Sequence, residues 1–178
     1  MGVGYGAQKS VGVMDKSKEK SSARMSSSIA GILALVWMCV IFAFSAQTKE
    51  ESGAVSEGFS YRIVNTTGKL FHLNIDDERV REIANSIERF VRKGAHMTEY
   101  AILAILLYLW LKRWQMSRVR TAGVAAALAI FYACSDEFHQ LFVAGRAGKV
   151  NDVLIDSAGA ILGLALFLFI GQLLRKAR

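Results

Sequence analysis

Apolar positions in this chain are unevenly spread. They gather in four blocks, residues 29–46, 94–111, 121–143 and 150–174, each near the roughly 20 residues an α-helix needs to cross about 30 Å of hydrocarbon. Between the first two blocks the pattern changes. After a turn-like NIDD at 74–77, Val80, Ile83, Ile87 and Phe90 recur at helical spacing among arginines and glutamates, which predicts an amphipathic helix with Asp76 or Asp77 as its cap. Val55, Phe59 and Ile63 form a shorter stripe of the same kind. Such stripes suit a membrane interface, and the longer one runs directly into the second block at Lys93. The predicted fold class is therefore all-α: a four-span transmembrane helix bundle with one or two extracytoplasmic interfacial amphipathic helices. Along the chain this gives a disordered basic cytoplasmic tail at 1–28 and a first span at 29–46. An extracytoplasmic segment follows at 47–93, then a three-span membrane hairpin bundle at 94–174 and a basic cytoplasmic tail at 175–178.

Composition supports this picture, since 53% hydrophobic residues and no proline do not describe an ordinary soluble domain. The first block has a rival reading as a secretory signal peptide, with Arg24 and lysines before it and Ala43, Ser45 and Ala46 near its end. It is longer than the usual 7–15-residue apolar region of such a peptide, roughly speaking, so a retained span is expected.

Charge sets the orientation. Lys9, Lys16, Lys18, Lys20 and Arg24 precede the first block, Lys112, Arg113, Arg118 and Arg120 separate the second from the third, and Arg175, Lys176 and Arg178 end the chain. Short basic segments stay in the cytoplasm, which places both termini there. The segment at 47–93 balances its bases with acids, and the third-to-fourth connection holds only Arg146 and Lys149, so both are expected outside. The net charge of +7 is then accounted for by anionic lipid, and no nucleic-acid partner is expected because no aromatic-interleaved basic fold accompanies it.

This topology brings three separated polar groups to one depth, near the outer surface. Lys93, His96 and Glu99 begin the second span, Asp136, Glu137, His139 and Gln140 lie near the end of the third, and Asp152 and Asp156 open the fourth. Spacings of three and four place His96 with Glu99, Asp136 with His139 and Gln140, and Asp152 with Asp156 on common helix faces. Gly159 and Gly163 extend the last stripe as a small-xxx-small surface where helices approach closely, so the aspartates should point into the bundle. A charge at bilayer depth costs about 2.5–3.5 kcal/mol on insertion scales, which makes such residues paired or functional.

The stretches FAFSAQ, RKGAHMTEYAIL, SDEFHQLFVAGR and NDVLIDSAGAILG together resemble the VanZ-like family of small bacterial membrane proteins, over nearly the whole chain beyond the basic tail. The resemblance implies a multi-span helical protein of the bacterial envelope, from a family named after a member linked to resistance against the lipid-tailed glycopeptide teicoplanin. It implies no particular reaction. Ala144 and Thr48 stand where that family often has proline.

Three uses of the polar set are consistent with the residues. In the first, Lys93, Arg146 and protonated His96 or His139 bind a phosphate or carboxylate head group, while Asp136, Glu137, Asp152 and Asp156 hold those cations and face sugars or amines. Its partners are membrane lipids or a lipid-linked or lipidated ligand, and it needs no cofactor. In the second, His96, Glu99, Glu137 and His139 ligate a divalent metal such as zinc in a hydrolase or transferase acting on a lipid-linked substrate. No HExxH and no glycine-flanked nucleophilic serine accompany that reading. In the third, the charges form a structural ion-pair network. Of the other residues, Cys39 and Cys134 are expected to be small apolar packers, His72 a surface residue, and Trp110 and Trp114 part of an interfacial aromatic belt. Tyr100 and Tyr132 lie in register with the polar set as hydrogen-bond donors or core residues. Oligomeric state is not legible.

Overall fold

A computed structural model describes the backbone of residues 4–177 and the side chains of residues 21, 22 and 24–177. It is all-helical among the described residues: α1 spans Gly4–Ser45, α2 Lys49–Leu70, α3 Asp77–Leu111, α4 Arg118–Gln140 and α5 Val150–Lys176, with one 3-10 turn, Lys112–Trp114, between α3 and α4. Four segments are long and apolar enough to cross a membrane: Arg24–Ser45, Asp77–Trp114, Arg118–Gln140 and Val150–Lys176.

α3 is the hub, packing against each of the other four helices. Its buried face carries Tyr100, Leu103, Ala104, Leu107, Tyr108 and Leu111, at the helical spacing that one face requires. Facing it are Ala34 and Ile41 of α1, Ala125, Ala129 and Ala133 of α4, and Ala160 and Leu164 of α5. Small residues repeated every fourth position let backbones approach, and in a membrane that packing replaces the missing hydrophobic drive between helices. The approach is closest at α3 and α5. A Cβ added at Gly159 would strike the main chain of Met97, and one at Gly163 would strike Ala101.

At 35 residues and a rise of 1.5 Å each, α3 extends roughly 50 Å, well beyond about 30 Å of hydrocarbon. Its first turns instead form a hairpin with α2. Asp76 caps α3 by accepting the Arg79 N–H at 2.8 Å, and Val80 and Ala84 bury against Val64. The Tyr61 hydroxyl donates to Asp77 at 3.1 Å. The buried face of α2 is Ser60, Val64 and Gly68. Val55, Phe59 and Ile63 do form one stripe, but it is turned outward with Val55 and Phe59 57% and 58% exposed.

Three sequence expectations change. Residues 1–28, expected to be disordered, continue as backbone helix from Gly4; without proline the polar tail keeps every helical N–H donor after the first turn. The third span, expected to reach residue 143, ends as α4 at Gln140, because Leu141, Phe142 and Val143 turn back on i−3 carbonyls. Hydropathy does not register that stop. Cys39 and Cys134 are exposed free thiols on the helix surfaces rather than core packers, since alanines and glycines already occupy the close-contact faces.

The α2 N-terminus closes a capping box: Glu51 N–H donates to the Thr48 hydroxyl at 3.3 Å and Thr48 N–H donates to the Glu51 carboxylate at 2.9 Å. These bonds, the backbone one foremost, hold the Glu51 carboxyl below its ordinary range. A depressed value means the box stabilises fully at pH above the unfolded carboxyl value and is lost as pH falls through the lowered folded value. Acid titration followed by amide chemical shifts at residues 50–52 should show this fraying, and Thr48→Ala, which costs about 1 kcal/mol, should show it already at neutral pH.

Candidate functional site

Where α1 ends and α2 begins, five elements converge on a cleft of about 610 Å³. α3 contributes Arg89, Arg92, Lys93 and His96, α4 contributes Glu137 and Gln140, the α4–α5 loop contributes Gly145, Arg146 and Lys149, α5 contributes Asp152 and Asp156, and α2 contributes Lys49. Seven of the ten sequence-named residues therefore line one cavity: Lys93, His96, Glu137, Gln140, Arg146, Asp152 and Asp156.

The wall is built from fixed polar groups. Asp136, Glu137, Gln140 and Asp156 are all buried, at 3–7% exposure, which a helix bundle tolerates only with partners. Gln140 donates to the Ser45 hydroxyl at 3.0 Å and to Asp136 at 3.3 Å, tying the end of α4 to the end of α1. The Glu137 carboxylate accepts the Lys149 backbone N–H at 2.8 Å, which pins the α4–α5 loop across the cleft. Two glycines let that loop fit: Gly145 has φ +72°, open to glycine without strain, and a Cβ at Gly148 would come within 2.6 Å of the Glu137 carbonyl oxygen. Arg146 reaches the Phe44 carbonyl at 3.4 Å. Burial lowers its guanidinium from the ordinary value against the opposing pull of Asp136 and Glu137, and an arginine remains cationic at neutral pH despite such a shift.

Cations dominate the mouth. Lys49, Arg89, Arg92, Lys93, Arg146 and Lys149 line it together with three carboxylates, Glu137, Asp152 and Asp156; outside the lining, Arg92 pairs with Glu88 at 3.6 Å and the Glu50 carboxylate lies against Gly145. Of the three lining carboxylates, Glu137 is already engaged with the Lys149 amide. The ion pair of Lys93 with Asp152 is long, at 4.0 Å, with both side chains about two-fifths exposed; exposed pairs contribute roughly 0–1 kcal/mol, so Lys93 is hardly neutralised.

The other three named residues lie behind or beside the cleft. Asp136 backs Gln140, with one carboxylate oxygen lacking a partner among the described residues. Glu99 sits 3.3 Å from the His96 Nδ1. His139 is drawn away, stacked on Phe42 with ring centroids 4.4 Å apart. His139 is not among the residues that line the cleft, and among the described residues no three of His, Cys, Asp and Glu gather as a metal shell. The tyrosines also divide. Tyr132 donates to the Met38 carbonyl at 2.7 Å, whereas Tyr100 is fully buried beside Tyr132, its hydroxyl unpartnered among the described residues.

Lys49, Arg89, Arg92 and Lys149 were not anticipated. Arg89, Lys93 and His96 fall at i, i+4 and i+7, one face of a helix, and that signal was readable. Lys49 and Lys149 carry no such signal, because only the α1–α2 and α4–α5 turns bring them to the mouth.

A family model described as VanZ/LLP1 matches residues 30–171. No curated protein and no solved structure matches the chain.

Proposed function

Because this chain belongs to the VanZ/LLP1 family and is a multi-pass membrane protein with four apolar helices, we propose that its cleft binds the anionic head group of an envelope lipid or of a lipidated glycopeptide of the teicoplanin kind. The observation that carries this reading is the excess of six cations over three carboxylates among the residues that line one cavity. Arginine forks and lysine ammoniums at such density suit phosphate or carboxylate oxygens, and buried acids behind them offer acceptors for sugar hydroxyls or amines. The basic segments at the opposite end stay in the cytoplasm by the positive-inside rule, so the cleft opens at the outer leaflet. Exposed Phe138 and Leu154 beside it supply an apolar surface along which an acyl chain lies.

The test is native mass spectrometry of the full chain in mild detergent with phosphatidylglycerol, phosphatidylcholine, teicoplanin and teicoplanin stripped of its acyl chain. Anionic, acylated probes should bind, and the Arg92→Gln, Arg146→Gln double variant should bind them at this cleft roughly 100–10,000-fold more weakly, since each of the two lost hydrogen bonds to a charged group contributes about 1.5–3 kcal/mol. Equal binding of phosphatidylcholine, or no loss in the double variant, would overturn the reading. An earlier thermal midpoint in that variant with no change in binding would instead assign these charges to packing.

A further inference from the structure

A second cavity lies at the opposite end of the bundle, about 310 Å³ in volume, where the start of the α1 span meets the end of α3. Its charged lining is all of one sign: Arg24 from α1, with Lys112 and Arg113 from the 3-10 turn, and no acid among the described residues that line it. None of the three takes part in an ion pair among the described residues. Ser26, Ser27 and Gln115 add neutral hydrogen-bonding groups.

The walls are held in place from behind. Trp110 packs so tightly on α1 that a Cβ at Gly31 would lie 2.5 Å from its ring, and Trp114 meets Trp110 edge-on at 5.0 Å. The Arg113 guanidinium lies over the Trp114 ring at 5.2 Å, which orients it without neutralising it. Gln115 ends the turn in the left-handed region at φ 55°. Directly along α1 from the cavity, Ile29, Ile32 and Leu33 are about half or more exposed, an apolar strip running toward the bilayer interior. Cations converging at the membrane boundary, a tryptophan pair at head-group depth and an apolar strip leading inward together match a phosphodiester with acyl chains attached. The volume falls at the low end of the roughly 300–1,000 Å³ common for small-molecule sites.

The geometry points to a specific binding site for one phosphate-bearing lipid head group between α1 and the α3–α4 turn, at the end of the bundle opposite the first cleft. Its ligand is an anionic phospholipid of the leaflet that holds the basic segments. The phosphate accepts from Arg24 and Arg113 with Lys112 beside it, the serine hydroxyls and Gln115 meet the glycerol or head-group hydroxyls, and the chains follow the α1 strip.

The full chain, reconstituted in phosphatidylcholine nanodiscs and titrated with phosphatidylglycerol, tests the site by native mass spectrometry. In the Arg92→Gln, Arg146→Gln background, which disables the first cleft, one phosphatidylglycerol should be retained, and adding Arg24→Gln with Arg113→Gln should weaken it about tenfold or more. Arg113→Lys should recover part of the loss, and Arg118→Gln with Arg120→Gln, which removes the same two positive charges outside the cavity lining, should leave binding intact. The first cleft's double variant should retain this lipid too. Equal loss in Arg118→Gln with Arg120→Gln would show diffuse surface attraction and overturn the site. Displacement of the lipid by millimolar inorganic phosphate would overturn the lipid assignment.

Discussion

Gly159→Leu should lower the midpoint of thermal unfolding in detergent by roughly 6–10 °C. Overpacking a close helix contact costs about 1–3 kcal/mol and occasionally more, and each kcal/mol shifts a chain of this size by about 2–4 °C. The upper end is expected here because the obstacle is the Met97 main chain, which cannot swing aside as a side chain would. Relief requires α5 to move away from α3, and α5 carries Asp152 and Asp156 into the cleft. The variant should therefore lose head-group binding along with stability. Gly171→Leu is the control, since nothing lies within 4 Å of a Cβ at that position. If differential scanning fluorimetry shows equal shifts for the two variants, the tight α3–α5 crossing is not what holds the bundle.

The second large effect concerns Glu137. Its carboxylate accepts the Lys149 N–H at 2.8 Å, a charge-assisted bond of about 1.5–3 kcal/mol. Glu137→Ala should free the loop at 141–149, which presents Gly145, Arg146 and Lys149 to the cleft. Amide hydrogen exchange in that loop should accelerate by about tenfold or more, and affinity for phosphatidylglycerol at the first cleft should fall by a similar factor. Glu137→Gln keeps an acceptor oxygen of the same reach and should preserve most of both. Loss of function in Glu137→Gln with a loop as protected as in the parent chain would mean that the carboxylate acts on the ligand rather than on the loop.

A cleft that holds a head group and a separate cavity that holds a lipid at the other end need not communicate, but both touch α1. Ser45 at one end of that helix accepts from Gln140, and Arg24 lines the cavity at the other. Measuring each ligand with the other site's variants reads their independence directly.

Helices, spans and the small-residue seam were legible in the residues alone. Blocks of about 20 apolar residues leave a membrane helix as the structure that satisfies its own backbone. Asp76 announces a cap through its position before a helical pattern, and Gly159 with Gly163 announce a close crossing through their spacing. The meeting of His96, Glu137 and Asp156 at one level also followed from alternating direction of the spans. These are sums over neighbours in the chain or counts of residues along a helix.

Tertiary structure decided which side chains share the cavity. His139 sits one turn from Asp136, yet it stacks on Phe42 and is not among the cleft-lining residues, and Glu99 turns to His96 beside the cleft. Lys49 and Lys149 enter because turns of a few residues carry them across, and the stop of α4 at Gln140 makes the loop that holds Arg146. Periodicity specifies the face of a helix on which a residue lies, but the rotation and offset of one helix against the next come from how alanines, glycines and tyrosines interlock. That interlocking has no signature along the chain, because it depends on distances between residues far apart in sequence.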